Sequence, residues 1–120
     1  MLTPLELDIM KAVWRNPPVT VRDVQETIRP TRNLAYTTVM TIMDRLHQKG
    51  FLTRELQGRT HMYSPAVAYV EVRDEAVKRL INSFFDGSES GLLQFLNGIS
   101  VRPVSRSSEF SEPSLDETLL

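Results

Sequence analysis

One stretch limits the fold more than any other: residues 34–50, Leu34-Ala35-Tyr36-Thr37-Thr38-Val39-Met40-Thr41-Ile42-Met43-Asp44-Arg45-Leu46-His47-Gln48-Lys49-Gly50. Val39, Ile42, Met43 and Leu46 recur at i, i+3, i+4 and i+7, so they share one face of a 3.6-period helix. Gly50 follows the last periodic residue and can take the left-handed position that ends a helix. His47 and Lys49 stand in the last turn, where the helix dipole favours cations. The opposite face carries Tyr36, Thr37, Thr38, Met40, Thr41, Asp44, Arg45 and Gln48. Threonine is a mediocre helix former, because branching at Cβ restricts its χ1. A supporting helix would expose Ala, Glu or Lys instead. Short hydroxyls, methyls and a tyrosine near a helix N-terminus suit base edges and thymine methyls in a major groove. Free backbone N–H groups at the same end suit phosphate. The plainer alternative is an amphipathic helix whose threonines bond their own backbone.

The 33 residues before it are divided by proline. Thr3-Pro4-Leu5-Glu6 is a helix start, with Thr3 as cap, Pro4 at the first position and Glu6 completing a capping box. Leu5, Ile9, Ala12 and Val13 form its stripe, Trp14 reads as core, and Pro17-Pro18 forces a stop. Thr20, with Asp23 three residues on, caps a second helix whose apolar face is Val21, Val24 and Ile28. Pro30 ends it. Three short helices, the third with a polar outer face, make a helix-turn-helix. Next, 51–56 and 61–65 read as two strands joined at Gln57-Gly58-Arg59-Thr60, with Gly58 available for positive φ. A hairpin directly after a recognition helix is a wing, and its Arg54 and Arg59 are candidates for phosphate or minor-groove contact.

The predicted fold class is therefore mainly α with a small β-hairpin wing: a winged helix-turn-helix over 1–65, followed by a helical dimerisation region over 66–97. A long helix over 66–86, with Asp74–Lys78 and Glu75–Arg79 as ion pairs, precedes a second one ending at Asn97-Gly98. Val70, Val77, Leu80, Ile81, Phe84, Leu93, Phe95 and Leu96 give these helices more apolar surface than a winged helix of this size needs. A contiguous exposed apolar face marks a partner site, and self-association with twofold symmetry is the simplest partner. Residues 98–120 read as a weakly structured tail, a linker over 99–113, with Ser114-Leu115-Asp116-Glu117 as a capping box for a short terminal helix.

Charge follows the same division. Residues 1–64 hold nine basic against six acidic side chains, +3, while 65–120 hold five against nine, −4, matching the net −1. A basic first part suits a nucleic-acid module. The chain has no cysteine, which excludes disulfides and Cys-based zinc or copper sites. His47 and His61, the only histidines, fall on different elements and predict no metal site. No glycine-rich phosphate loop and no nucleophile–base–acid set is legible, so neither catalysis nor a cofactor is expected. No apolar run approaches a membrane span, and Met1-Leu2-Thr3-Pro4 is not a signal peptide, so the expectation is a cytoplasmic protein without membrane insertion.

In this order the parts resemble the BlaI/MecI/CopY family of bacterial winged-helix repressors, the penicillinase repressors. The likeness is carried by Leu2 to Met10 with Trp14, Val21-Arg22-Asp23-Val24, Leu34 to Thr41, Arg45-Leu46, Lys49-Gly50-Phe51-Leu52, Arg54, Gly58-Arg59 and Tyr63-Ser64-Pro65, over about residues 2–97. The resemblance implies a homodimer that binds palindromic double-stranded DNA operators and represses transcription. It places Tyr36, Thr37, Thr38, Met40 and Thr41, with neighbouring Arg45, where family members read bases and phosphates, and Arg54 and Arg59 on the wing. It also implies release by a membrane-bound sensor metalloprotease. The family's Asn-Phe cleavage pair falls on Gln94-Phe95, with Phe95 matching and Gln94 departing from it. The paired cysteines of the copper-responsive branch are missing. A different class of function stays open: a protein–protein adaptor that keeps the winged-helix shape without sequence-specific DNA binding, which the acidic net charge favours.

Overall fold

Thr3 and Glu6 close the predicted capping box: the Glu6 N–H donates to Thr3 Oγ1 at 3.1 Å, and the Thr3 N–H donates to Glu6 Oε1 at 2.9 Å. Helix α1, Pro4–Arg15, grows from it and buries Ile9, Met10, Ala12 and Val13. Thr20 and Asp23 repeat the device at 3.0 Å in both directions and open α2, Val21–Ile28. Helix α3, Tyr36–Gln48, starts at Ala35 without a side-chain cap and buries the expected Val39, Ile42, Met43 and Leu46. Gly50 ends it at φ 90°, with the Phe51 N–H bonded back to Leu46 O at 2.9 Å. The wing follows as an antiparallel pair, β1 Leu52–Gln57 and β2 Thr60–Pro65, with Gln57 opposite Thr60 and Gly58 at φ 63°. The computed structural model describes residues 1–101. They belong to two units, one spanning Met1–Ala76 and one from Val77 onward.

In the first unit one apolar cluster joins all three helices to the wing through Ile9, Met10, Val13, Val24, Val39, Met43, Leu46, Leu52 and Tyr63, each at 2% exposure or less. A bridge between Val19 and Tyr63 adds a backbone link that no local pattern predicts, with bonds of 2.7 and 2.9 Å. Trp14 is half-buried rather than sealed. Its indole N–H donates to Val67 O at 3.0 Å, and its ring meets Tyr69 edge-on at 5.3 Å. Buried tryptophans keep a partner for that N–H, which explains the position at the edge of the core.

Helix α4 runs Tyr69–Phe84, shorter than the expected 66–86, because Glu71 Oε1 accepts from the Ala68 N–H and fixes the start. Asp86 and Gly87, both at positive φ, terminate it. Asp74 pairs with its neighbour Arg73 at 2.9 Å instead of with Lys78. The second unit continues into α5, Glu89–Val101, capped by Ser88 Oγ on the Gly91 N–H at 2.9 Å. This helix passes through Asn97-Gly98, where it had been expected to end; an isolated helical glycine costs only about 1 kcal/mol. The expected terminal helix at Ser114 and the rest of the tail from 102 fall outside the described residues. Among the described residues, no helix is long and apolar enough to cross a membrane.

Glu6 does more than cap. It is 3% exposed, and its Oε2 accepts from Lys49 Nζ at 2.9 Å, tying α1 to the end of α3. Burial pushes the Glu6 carboxyl up, but the Lys49 ammonium and the Thr3 N–H and hydroxyl outweigh it and leave the pKa below the ordinary 4.5. A lowered carboxylate pKa contributes stability above the ordinary glutamate range, and that contribution is lost as pH falls through the lower, folded-state value. Lys49→Ala should therefore destabilise the fold at pH 7 by about 1–3 kcal/mol, less than for a fully buried pair because Lys49 is partly in water. The deficit should shrink once Glu6 is protonated. Urea titrations at neutral and acid pH check this, and a deficit independent of pH would contradict the pairing.

Candidate nucleic-acid interface

Because Val39, Ile42, Met43 and Leu46 turn inward, the intervening residues of α3 must face out. Tyr36, Thr37, Thr38, Met40, Thr41 and Arg45 are all exposed, as the sequence predicted. They fall into two strips. Thr37, Thr38, Thr41 and Arg45 line a shallow depression along α3 itself. Tyr36 and Met40 instead face a cleft of about 500 Å³ between α2, α3 and the wing, whose rim also holds Thr20, Arg22, Arg59, Thr60 and His61.

Among the described residues, no carboxylate lines that cleft. The Arg22 guanidinium lies 5.8 Å above the Tyr36 ring centroid, a cation–π contact that orients it without neutralising it. Among the described residues, neither Arg22 nor Arg59 is paired with an acid. Both guanidiniums are exposed, so they stay hydrated and charged, and two like charges on one concave surface reinforce each other's attraction for an anion. Arg22, Thr60 and His61 are not among the DNA-contact candidates that the sequence offers. Arg22 had one signal, as a basic residue in the first turn of a capped helix, where the dipole favours an acid.

Arg54 is placed differently from Arg59. Its Nη1 donates to Asp44 Oδ1 at 2.9 Å and lies 3.4 Å from the Tyr63 hydroxyl. Tyr63 and then Asp44 push its pKa further up, so it stays charged.

In the second unit, Val77, Leu80, Phe84, Leu93, Phe95 and Leu96 are exposed, Phe84 to 76% and Leu93 to 61%, while Ile81 is half-buried. In the first unit Val70 is exposed at the start of α4, which has no buried residue. Phe85, just past the end of α4, meets Phe95 of α5 with ring centroids 5.6 Å apart. Gln94 and Phe95 stand inside α5, so the bond between them is helical.

Three helices sealed by a two-stranded wing, with a polar outer face on the third, define a winged helix. The penicillinase repressor family model matches residues 2–105, and the chain belongs to that family. It is 39% identical over 95 residues to the transcriptional regulator BlaI of Mycobacterium tuberculosis, a match covering 78% of this chain and 66% of that protein. The penicillinase repressor of Bacillus licheniformis is 28% identical over 99 residues, covering 79% and 75% of the two chains. Among solved structures, the B. licheniformis BlaI monomer in complex with the blaP half-operator superimposes with a TM-score of 0.51 at 25% identity, over 59% of this chain and 87% of that one. The DNA-binding domain of the repressor BlaI gives 0.52 at 26% identity, over 57% and 84%.

Proposed function

We propose that this chain is a transcriptional repressor that binds a palindromic DNA operator as a homodimer in the cytoplasm. The observation that carries the reading is the cleft beside the exposed face of α3, where among the described residues no carboxylate lines the wall and no acid pairs with Arg22 or Arg59 at the rim. Its support from relatives is the likeness to a protein solved on a half-operator. In this reading Thr37, Thr38, Thr41 and Met40 meet base edges, Tyr36, Arg22, Arg45 and Arg59 meet the backbone, and each winged helix takes one half-site, with centres about 34 Å apart or a multiple of that. The apolar residues of α4 and α5 join the two copies, since an exposed strip of this kind needs a partner. Release by a membrane sensor metalloprotease at Gln94-Phe95 is the last step of the same reading. Both residues are exposed, but a helical bond must open locally before a protease can take it.

The two kinds of contact are separable. Arg59→Ala should weaken binding to all duplexes alike and lower the slope of log K against log salt by about 0.9. Thr38→Ala should leave the slope unchanged and lower discrimination between operator and random DNA by about 1–3 kcal/mol. Fluorescence anisotropy at several salt concentrations reads both. Equal losses on operator and random DNA for Thr38→Ala would remove it from base recognition, and a wild-type protein that ignores every duplex at low salt would leave the adaptor reading in its place.

A further inference from the structure

A carboxylate on a helix that faces a polyanion is a liability, and α3 carries one at Asp44, whose side chain is 44% exposed. Both of its oxygens are occupied. Oδ1 accepts from Arg54 Nη1 at 2.9 Å, and Oδ2 accepts from Gln48 Nε2 at 3.1 Å. Arg54 sits on β1 directly across from Tyr63 on β2, and its Nη1 also lies 3.4 Å from the Tyr63 hydroxyl. Tyr63 is 2% exposed and bonded in both directions to the backbone of Val19. An unbroken series of contacts thus runs from the recognition helix through both wing strands to the segment before α2. The wing needs such support, because a lone two-stranded hairpin is marginally stable in water.

Resting on the DNA-binding reading above, we infer that Asp44 and Arg54 are positioning residues that brace the wing against the recognition helix, and that Arg54 acts through this brace rather than by touching phosphate. Arg59, at the wing turn and without an acidic partner among the described residues, is left as the cation of the wing that meets the backbone of the duplex.

The two roles of Arg54 predict opposite signs for one substitution. If the pair is a brace, Asp44→Ala and Arg54→Gln each weaken operator binding by about two- to fivefold, the range expected for a partly exposed ion pair. The salt slope stays at its wild-type value, and the double variant binds no worse than the weaker single one, because both changes remove the same contact. Asp44→Glu, which keeps the charge, stays near wild type. If Arg54 contacts phosphate, Asp44→Ala strengthens binding by removing a negative charge and freeing a cation, and Arg54→Gln lowers the slope by about 0.9. Either result overturns the inference. A DNA-free measurement decides the brace independently. The amide resonances of Gly58 and Arg59 at the wing turn should move in Asp44→Ala as they do in Arg54→Gln; turn resonances that keep their wild-type positions in both refute the brace. Wild-type protein that binds no duplex refutes the DNA reading instead, and the amide measurement still stands. Thermal melts confirm that each variant is folded.

Discussion

Leu80→Asp is expected to leave a monomer that binds a half-operator normally and a full operator about 100- to 10,000-fold more weakly than wild type. Leu80 lies on α4, exposed among Val77 and Phe84, in a unit whose own folding does not bury it. In the dimer proposed above Leu80 meets the partner copy, where burying a carboxylate is prohibitive unless it is paired or protonated, so the substitution is expected to act on association. Joining two heads makes the second half-site an intramolecular target, and loss of that linkage removes the gain in avidity without touching any DNA contact. Sedimentation equilibrium gives the association state, and anisotropy on half-length and full-length duplexes gives the affinities. A variant that stays dimeric would place the interface elsewhere. One that is monomeric yet binds both duplexes as wild type does would sever dimerisation from operator recognition.

The second large effect belongs to the inward face of α3. Leu46→Ala is expected to destabilise the winged helix by about 2–5 kcal/mol, the range for removing a sealed leucine from a packed core. Leu46 is 0% exposed and packs in the cluster that includes Ile9, Val39, Met43 and Leu52. For a domain with a total stability of about 5–15 kcal/mol, that loss brings unfolded protein into measurable population. Thr38→Ala, eight residues earlier on the exposed face, should change stability by no more than about 0.5 kcal/mol. The same helix is thus expected to separate the two properties: inner positions govern folding, and outer ones govern which duplex is chosen. Urea unfolding of both variants tests the contrast, and comparable losses would show that α3 is not divided between core and recognition in this way.

Much of this was legible in the sequence because it is encoded within four residues of itself. The inward quartet of α3, the two capping boxes, and the glycines at 50 and 58 were readable for that reason. Where local signals were weak, the expectation drifted. The last turns of α5 pass an Asn-Gly pair that resembles a stop, and the ends of α4 were misjudged by a few residues. The exposed strip on α4 and α5 was also readable, as surplus apolar surface.

Charge partners are where sequence reasoning ran out. Lys49 looked like a residue placed for the helix dipole, yet it reaches a carboxylate 43 positions away. Arg32 reaches Asp8 across 24 positions, and Arg54 turns to Asp44 and Tyr63. Arg22 and Arg59, by contrast, are brought to the same cleft and have no acidic partner among the described residues. By itself the sequence determined the elements, their ends and their buried faces, because helix periodicity, capping and tight turns arise from groups that are close along the chain. Only the tertiary structure decided which cations are neutralised and which remain available to an anion, because a salt bridge depends on distance in space, and no spacing pattern in a linear chain records that.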